Sequence, residues 1–287
     1  MTQQNQELTQ QIIQYYDRCE PHYRLHWDLS NSHALHYGFW DATTHNFSQA
    51  LQRINAVMAN TIALNNADFV LDAGCGIGGS AIWLAKHIGC RTLGITLSQR
   101  QVATATKLAQ QQGVAHLAQF GCADYTQTQL PNQHVSAVWA IESLCHAANK
   151  LAFTNEAARI LQSGGRLVVA DFFIRQTPPL NTTETRIINK WANGWAVPQF
   201  DTIGQMQANL YQSGFRDIEV KNITSHILPS AKRLYWHFFP GWVATRLYGL
   251  YKKVPSFVQQ NVWTAYWQYI ALRKNLWQYY LVSAVKA

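Results

Sequence analysis

No acidic residue follows Glu219 in this chain. Nine basic residues do: Lys221, Lys232, Arg233, Arg246, Lys252, Lys253, Arg273, Lys274 and Lys286. The first 219 residues hold 14 basic and 15 acidic side chains, so the formal charge of +8 is an excess of the last quarter alone. Charge is scarce overall: 13% of residues are charged and 48% are hydrophobic, which excludes a self-repelling disordered chain. Long apolar runs are also missing. Stretches such as Phe69–Leu71 and Leu167–Ala170 fall far short of the roughly 18–20 residues of a membrane span. The N-terminus, MTQQNQELTQQ, is polar and lacks the hydrophobic centre of a secretory signal. The five cysteines (Cys19, Cys75, Cys90, Cys122 and Cys145) are odd in number and form no CxxC pair, which argues against a disulfide framework and for a reducing cytoplasm.

What is present is an alternation of short apolar runs with amphipathic stretches. Strands are expected at Phe69–Ala73, Arg91–Thr96, Ala118–Gly121, Val135–Ile141 and Arg166–Phe172. Helices are expected between them at Ser80–His87, Ser98–Gln112 and Leu151–Leu161, the last capped by Ser163-Gly164-Gly165. Such alternation predicts a mainly parallel sheet with helices on both faces. Ahead of it, residues 5–30 (with Ile12, Ile13, Tyr16, Tyr23 and Leu25) and 47–64 read as helices. Behind it come helices at 183–195 and 201–212, the second closed by Gly214, and strands at Phe215–Ile223 and Trp277–Val285.

The expected fold is α/β: a Rossmann-like, seven-stranded, mainly parallel sheet. The expected organisation is a helical segment 1–65, a core 66–223 carrying a lid at 175–214, an aromatic basic cap 224–276 and a final core strand 277–287.

The first strand runs into Ala73-Gly74-Cys75-Gly76-Ile77-Gly78-Gly79-Ser80, at the start of a helix. Glycines at a strand-to-helix turn let backbone approach a ligand closely, and the helix N-terminus offers unpaired N–H groups with a positive dipole end. A carboxylate or a phosphate suits such a loop. Gly74-x-Gly76-x-x-Gly79 also satisfies the dinucleotide fingerprint. Three features weigh against a dinucleotide. Asp72, two residues before the first glycine, would repel a pyrophosphate and suits an ammonium group. The second strand ends Gly94-Ile95-Thr96, without the acid that grips a ribose in NAD enzymes. The loop also lies about 70 residues into the chain, behind a helical segment.

At these residues a resemblance becomes specific. VLDAGCGIGGSAIWLA is similar to motif I of class I S-adenosylmethionine (SAM)-dependent methyltransferases, and GITLSQRQV (94–102) resembles the second motif of one branch of them. That branch includes tocopherol and sterol methyltransferases, glycine and sarcosine N-methyltransferases, sugar O-methyltransferases and cyclopropane fatty-acid synthases. VWAIESLCHA (138–147), LQSGGRLVVADFF (161–173) and HYGFWD (36–41) extend the match. The resemblance implies that Asp72, Gly74 and Gly76 meet the methionine part of SAM, with Tyr37 closing over its tail. It places Thr96, Leu97 and Gln101 along the ribose and adenine, Gln101 standing where the branch has an acid. Ala123 and Asp124 would meet the adenine edge, and Ile141 and Glu142 would flank the sulfonium.

Methyl transfer to oxygen or carbon also needs a proton removed, by a base titrating near neutrality. His146, five residues beyond the fourth strand, lies where such folds bind ligands, outside the carboxyl ends of the strands. The resemblance to ESLxH of sugar O-methyltransferases implies the same role. Asp171, ending the fifth strand, would orient His146 or bind an acceptor hydroxyl; both readings are open. The spacings His22/His26 and His33/His36 would suit metal ligands on helices, yet no cysteine or HExxH pattern accompanies them, and no metal is expected.

The cap holds twelve aromatics, among them Tyr235 and Trp236, expected with Trp191 and Trp195 to contact a hydrophobic acceptor. Within 254–274, Val258, Val262, Tyr266 and Ile270 recur every four residues and predict one apolar helix face. Two readings of the cap's charge stand: peripheral contact with an anionic membrane, or a solvated outer face over a lid core. Nucleic acid is not an expected partner, since Ala140-Ile141-Glu142-Ser143 replaces the NPPY of base methylation.

The expected activity is methylation of an O or C atom of a small hydrophobic metabolite, such as a terpenoid, quinol or polycyclic natural product. The alternatives are N-methylation, lipid cyclopropanation, and a SAM- or NAD-binding protein without transferase activity.

Overall fold

A computed structural model describes residues 34–251 and 256–287. The helix expected at 5–30, Cys19, His22, His26 and His33 lie outside the described residues, as do the side chains of Phe257 and Val258.

Seven strands form one sheet: β1 (Phe69–Ala73), β2 (Arg91–Thr96), β3 (Ala118–Cys122), β4 (Val135–Ile141), β5 (Leu161–Ile174), β6 (Phe215–Asn222) and β7 (Trp277–Lys286). Their order is β3-β2-β1-β4-β5-β7-β6. β1 to β5 run parallel, and β7 inserts antiparallel between β5 and β6. The sheet reverses its winding between β1 and β4, and at such a point the crevice beyond the strand ends opens to a ligand.

The central strands are covered on both faces. Val70 and Leu71 of β1 and Leu167, Val168, Val169 and Ala170 of β5 are all buried, hence their continuous apolar runs. The helices are α1 (Phe47–Thr61), α2 (Gly79–His87), α3 (Gln99–Gln111), α4 (Lys150–Ile160), α5 (Thr182–Gly194), α6 (Ile203–Gln212), α7 (Thr224–Gly249) and α8 (Ser256–Arg273). Side-chain caps fix several starts: Asn46 accepts from Gln49 N, Ser98 from Gln101 N, and Asn181 and Thr202 form full capping boxes.

Two local expectations are corrected. α4 stops at Ile160, and Leu161 is already extended and paired with Val135. Gly164 does take the left-handed conformation, at φ +72°, but inside β5 rather than as a helix cap. In α8 the residues Val262, Tyr266 and Ile270 are only half-buried. The buried face carries Thr264, Ala265, Gln268, Ala271 and Leu272.

Polar burial there is stable because Gln268 is satisfied on every side. It accepts from the Tyr37 hydroxyl (2.7 Å) and donates to the carbonyls of Ala231 (2.9 Å) and Ala265 (3.0 Å). Its own carbonyl accepts from Trp277 Nε1 at 2.9 Å. One amide thus ties the 34–40 segment, α7, α8 and β7 together. Among the described residues, no helix is long and apolar enough to cross a membrane.

Candidate active site

At the carboxyl ends of β1, β2 and β4 lies a cavity of about 240 Å³. Its floor is the turn after β1. Gly74 has φ +88°, and a Cβ there would fall 2.4 Å from the Ser143 Cβ, so both backbone angle and space demand glycine. Gly76 has φ +52° with open space beside it, facing the cavity. α2 then starts at Gly79 and turns its N-terminal N–H groups toward the same space.

Asp72 lines this cavity at 3% exposure, and burial pushes its carboxyl up to about 7. The Ala81 backbone N–H opposes that shift, whereas Oδ2 is buried with no hydrogen-bond partner. A buried lone acceptor is costly until a donor meets it. A cation bringing N–H donors, such as the ammonium of SAM, fits this atom; a pyrophosphate does not.

Thr96, Leu97, Gln101 and Asp124 line the opposite end. The Thr96 hydroxyl donates to Gln101 Oε1 at 2.5 Å. This orientation spends the amide's acceptor and leaves its NH₂ as a donor. Gln101 therefore presents a donor to the cavity where an acid would present an acceptor. Asp124 Oδ1 accepts from the N–H and hydroxyl of Thr126, at 2.8 and 2.7 Å, which fixes its loop. Ala123 sits behind this wall with its N–H on the Thr96 carbonyl.

Ile141, Glu142 and His146 also line the cavity. Glu142 adopts φ +47°, unusual for a residue with a Cβ. Its Oε1 accepts from Tyr37 N (2.6 Å) and from the Tyr279 hydroxyl (2.9 Å), and burial raises its carboxyl well above the usual range. The half-buried His146 sits on a 3₁₀ turn, Leu144–His146. Its Nδ1 lies 3.4 Å from the Ala196 carbonyl, an acceptor only, so the proton belongs on Nδ1 and Nε2 is the basic nitrogen. Burial lowers its pKa to about 4, so the ring is neutral at pH 7, but a weaker base than the near-neutral one expected from the sequence.

Several candidates stand elsewhere. Asp171 is buried beneath the turn and does not line the cavity. Its Oδ2 accepts from Cys145 N (2.9 Å) and its Oδ1 from Phe172 N (2.7 Å). It holds the peptide next to His146, on the turn that carries that ring.

Tyr37 also lies behind the wall. Its ring stacks 6.4 Å from Trp277 and meets Phe172 edge-on at 5.6 Å, so it backs Glu142 rather than covering the cavity. Trp191 is fully buried, packed on Phe200 at 4.4 Å and on Trp277 at 4.9 Å, and Trp195 joins that cluster from its rim. Tyr235 stacks between α7 and α8 on Tyr266 and Tyr269, and Trp236 is 59% exposed. None of these four lines the cavity: α5 and α8 are too tightly packed to leave room. A Cβ on Gly194 would lie 1.5 Å from Thr264 Oγ1.

Among the cavity residues that sequence reasoning did not single out are Tyr125, Ser143 and His36. Tyr125 donates to the Ser143 carbonyl at 2.8 Å, and Ser143 donates to the Ala73 carbonyl at 2.6 Å. His36 is neutral because burial lowers its pKa to about 4. Its Nδ1 is spent on the Tyr37 carbonyl (3.0 Å), and its buried Nε2 has no partner. Its place in HYGFWD, next to Tyr37, was the available signal.

Residues 71–169 match the family described as a methyltransferase domain. The chain is 29% identical over 196 residues to the 27-O-demethylrifamycin SV methyltransferase of Amycolatopsis mediterranei, covering 68% of this chain and 71% of that protein. It is 33% identical over 192 residues to the 2-methyl-6-phytyl-1,4-hydroquinone methyltransferase of Synechocystis, covering 64% and 59%. A geranyl diphosphate methyltransferase solved with GPP and sinefungin shares the fold, with a TM-score of 0.76 at 17% identity over 98% of this chain and all of that one. So does the [4+2]-cyclase SpnF, with a TM-score of 0.75 at 24% identity over 97% and 96%.

Proposed function

We propose that this chain, which matches methyltransferases in sequence and fold, is a SAM-dependent methyltransferase that methylates an oxygen or carbon atom of a small, largely apolar metabolite. A terpenoid, a quinol or a polycyclic natural product is the class of acceptor. The observation that carries this reading is a neutral imidazole, His146, on the wall of the cavity that holds Asp72 and the glycine turn.

SAM, when bound, supplies an already activated methyl group. The protein's own work is positioning and proton removal. Asp72, Gly74 and Gly76 would hold the amino-acid end, with Thr96, Leu97, Gln101 and Asp124 along the nucleoside. His146 Nε2 takes the proton of an acceptor hydroxyl or of an acidified carbon. Asp171 keeps the turn carrying that ring in place by holding the Cys145 N–H. Ala34, Leu35, Ile141, Ala147 and Ala148 give the remaining wall an apolar character that suits the acceptor. The relatives above are named for a demethylrifamycin SV and a phytyl hydroquinone, which supports the same class.

The test is transfer of labelled methyl from SAM to a panel of quinols, terpenoid alcohols and polycyclic phenols. Replacing His146 with alanine should keep SAM affinity and cut turnover by about 10²–10⁴-fold. Undiminished turnover would remove His146 from the reaction and point to an amine acceptor, which needs no base of this kind.

A further inference from the structure

We propose that the outer face of α7 seats this protein on an anionic lipid surface. α7 buries Ile227, Ser230, Ala231 and Phe238. Phe238 packs against Trp263 (4.9 Å) and Tyr266 (5.2 Å) of α8. At about 100° per residue these positions share one side of the helix. Roughly opposite, Trp236, Phe239, Val243, Leu247 and Leu250 fall within an arc of about 80°, and all five are exposed, Leu247 by 57% and Leu250 by 78%. The stripe runs about 21 Å at 1.5 Å per residue. The reading of these aromatics as lid core does not hold for this half of α7.

Three observations favour a lipid surface as what covers the stripe. First, its flanks are basic. Lys232, Arg233 and Arg246 are exposed, and neither α7 nor α8 contains an acid. Second, the exposed Trp242 and Tyr251, to either side of the stripe, are amphipathic rings of the kind that settle at a headgroup boundary. Third, between the far ends of α7 and α8 lies a hollow of about 610 Å³ lined by Trp242, Arg246, Leu247, Leu250, Val262 and Trp263. Arg246 stands 5.5 Å above the Trp242 ring there, pairing a cation for a phosphate with an apolar slot for the first methylenes of a chain. A scattered apolar surface needs no explanation, but a continuous stripe of this length with one sign of charge does.

The experiment is co-sedimentation of the full chain with vesicles of phosphatidylcholine alone and of phosphatidylcholine with 30% phosphatidylglycerol (about 0.1 and 0.5 M salt). Binding to the anionic vesicles should be at least tenfold tighter than to the neutral ones, and should weaken at the higher salt. The double variant Leu247→Glu/Leu250→Glu should lose that binding at least tenfold while circular dichroism and SAM affinity stay unchanged. Lys232→Gln/Arg246→Gln should lose only the preference for anionic lipid.

The proposal is overturned if native protein stays in the supernatant, or if the double glutamate variant binds as well as native. It is equally overturned if the stripe proves to be covered by a second copy, seen as a concentration-dependent dimer that Leu247→Glu dissolves. Retention on single-stranded RNA in place of vesicles would also refute it.

Discussion

Replacing Asp72 with asparagine keeps the shape of the cavity and removes one charge. The carboxylate is buried with an unpartnered Oδ2, so little water competes with a ligand ammonium there. A charge-assisted hydrogen bond in such a place contributes about 1.5–3 kcal/mol, so the variant should bind SAM roughly 10- to 100-fold more weakly. The pH dependence follows from the same group. Burial holds the folded carboxyl at about 7, and only its ionised form attracts a cation. The affinity of native protein for SAM should therefore be constant above about pH 8 and fall as pH drops through 7, by about tenfold per unit below it. In Asp72→Asn that dependence between pH 6 and 8 should vanish. Isothermal calorimetry at four pH values measures both effects. A variant binding as tightly as native, or keeping the native slope, would refute the pairing of Asp72 with the ammonium.

Three further outcomes are expected. With SAM saturating, kcat should stay flat from pH 8 down to about 5 and fall only near 4, where the lowered pKa of His146 protonates its basic nitrogen; a decline centred near 6.5 would contradict the burial of that ring. Gly74→Ala places a Cβ 2.4 Å from the Ser143 side chain at a positive φ, so SAM binding should be lost and stability should fall by about 1–3 kcal/mol in a denaturant titration. Gln268→Leu strands the Tyr37 hydroxyl and the Ala231 carbonyl, which should cost about 2–4 kcal/mol and lower the thermal midpoint by roughly 5–12 °C.

Much of the sheet was legible because its parallel strands are covered on both faces and read as bare apolar runs. The glycine turn was legible because its chemistry is local: Asp72, Gly74 and Gly76 lie within five residues of one another. The cap was not, because its determinants are far apart in sequence. The period-four apolar pattern of α8 pointed to Val262, Tyr266 and Ile270, whereas the buried face centres on Thr264 and Gln268. Gln268 can occupy that face because Tyr37, more than two hundred residues earlier, and the Ala231 carbonyl supply it with partners. Distance in sequence also hid the role of Tyr37, whose partner Glu142 lies 105 residues away. Tyr37 was expected to touch a ligand, and Asp171 to orient His146 or bind an acceptor hydroxyl; Tyr37 instead holds Glu142, and Asp171 holds the turn of His146, both of which line the cavity. The place of His36 in the cavity was not read, because its tautomer, and so its unpartnered nitrogen, is set by a backbone carbonyl that no pattern reveals.

Paired calorimetric titrations of the native protein with S-adenosylhomocysteine and with NADH bear most directly on the assignment of the cavity. S-adenosylhomocysteine should titrate one site per chain, and NADH should give no binding heat, since a pyrophosphate would face the Asp72 carboxylate. Saturation by NADH, with displacement of S-adenosylhomocysteine, would contradict the account.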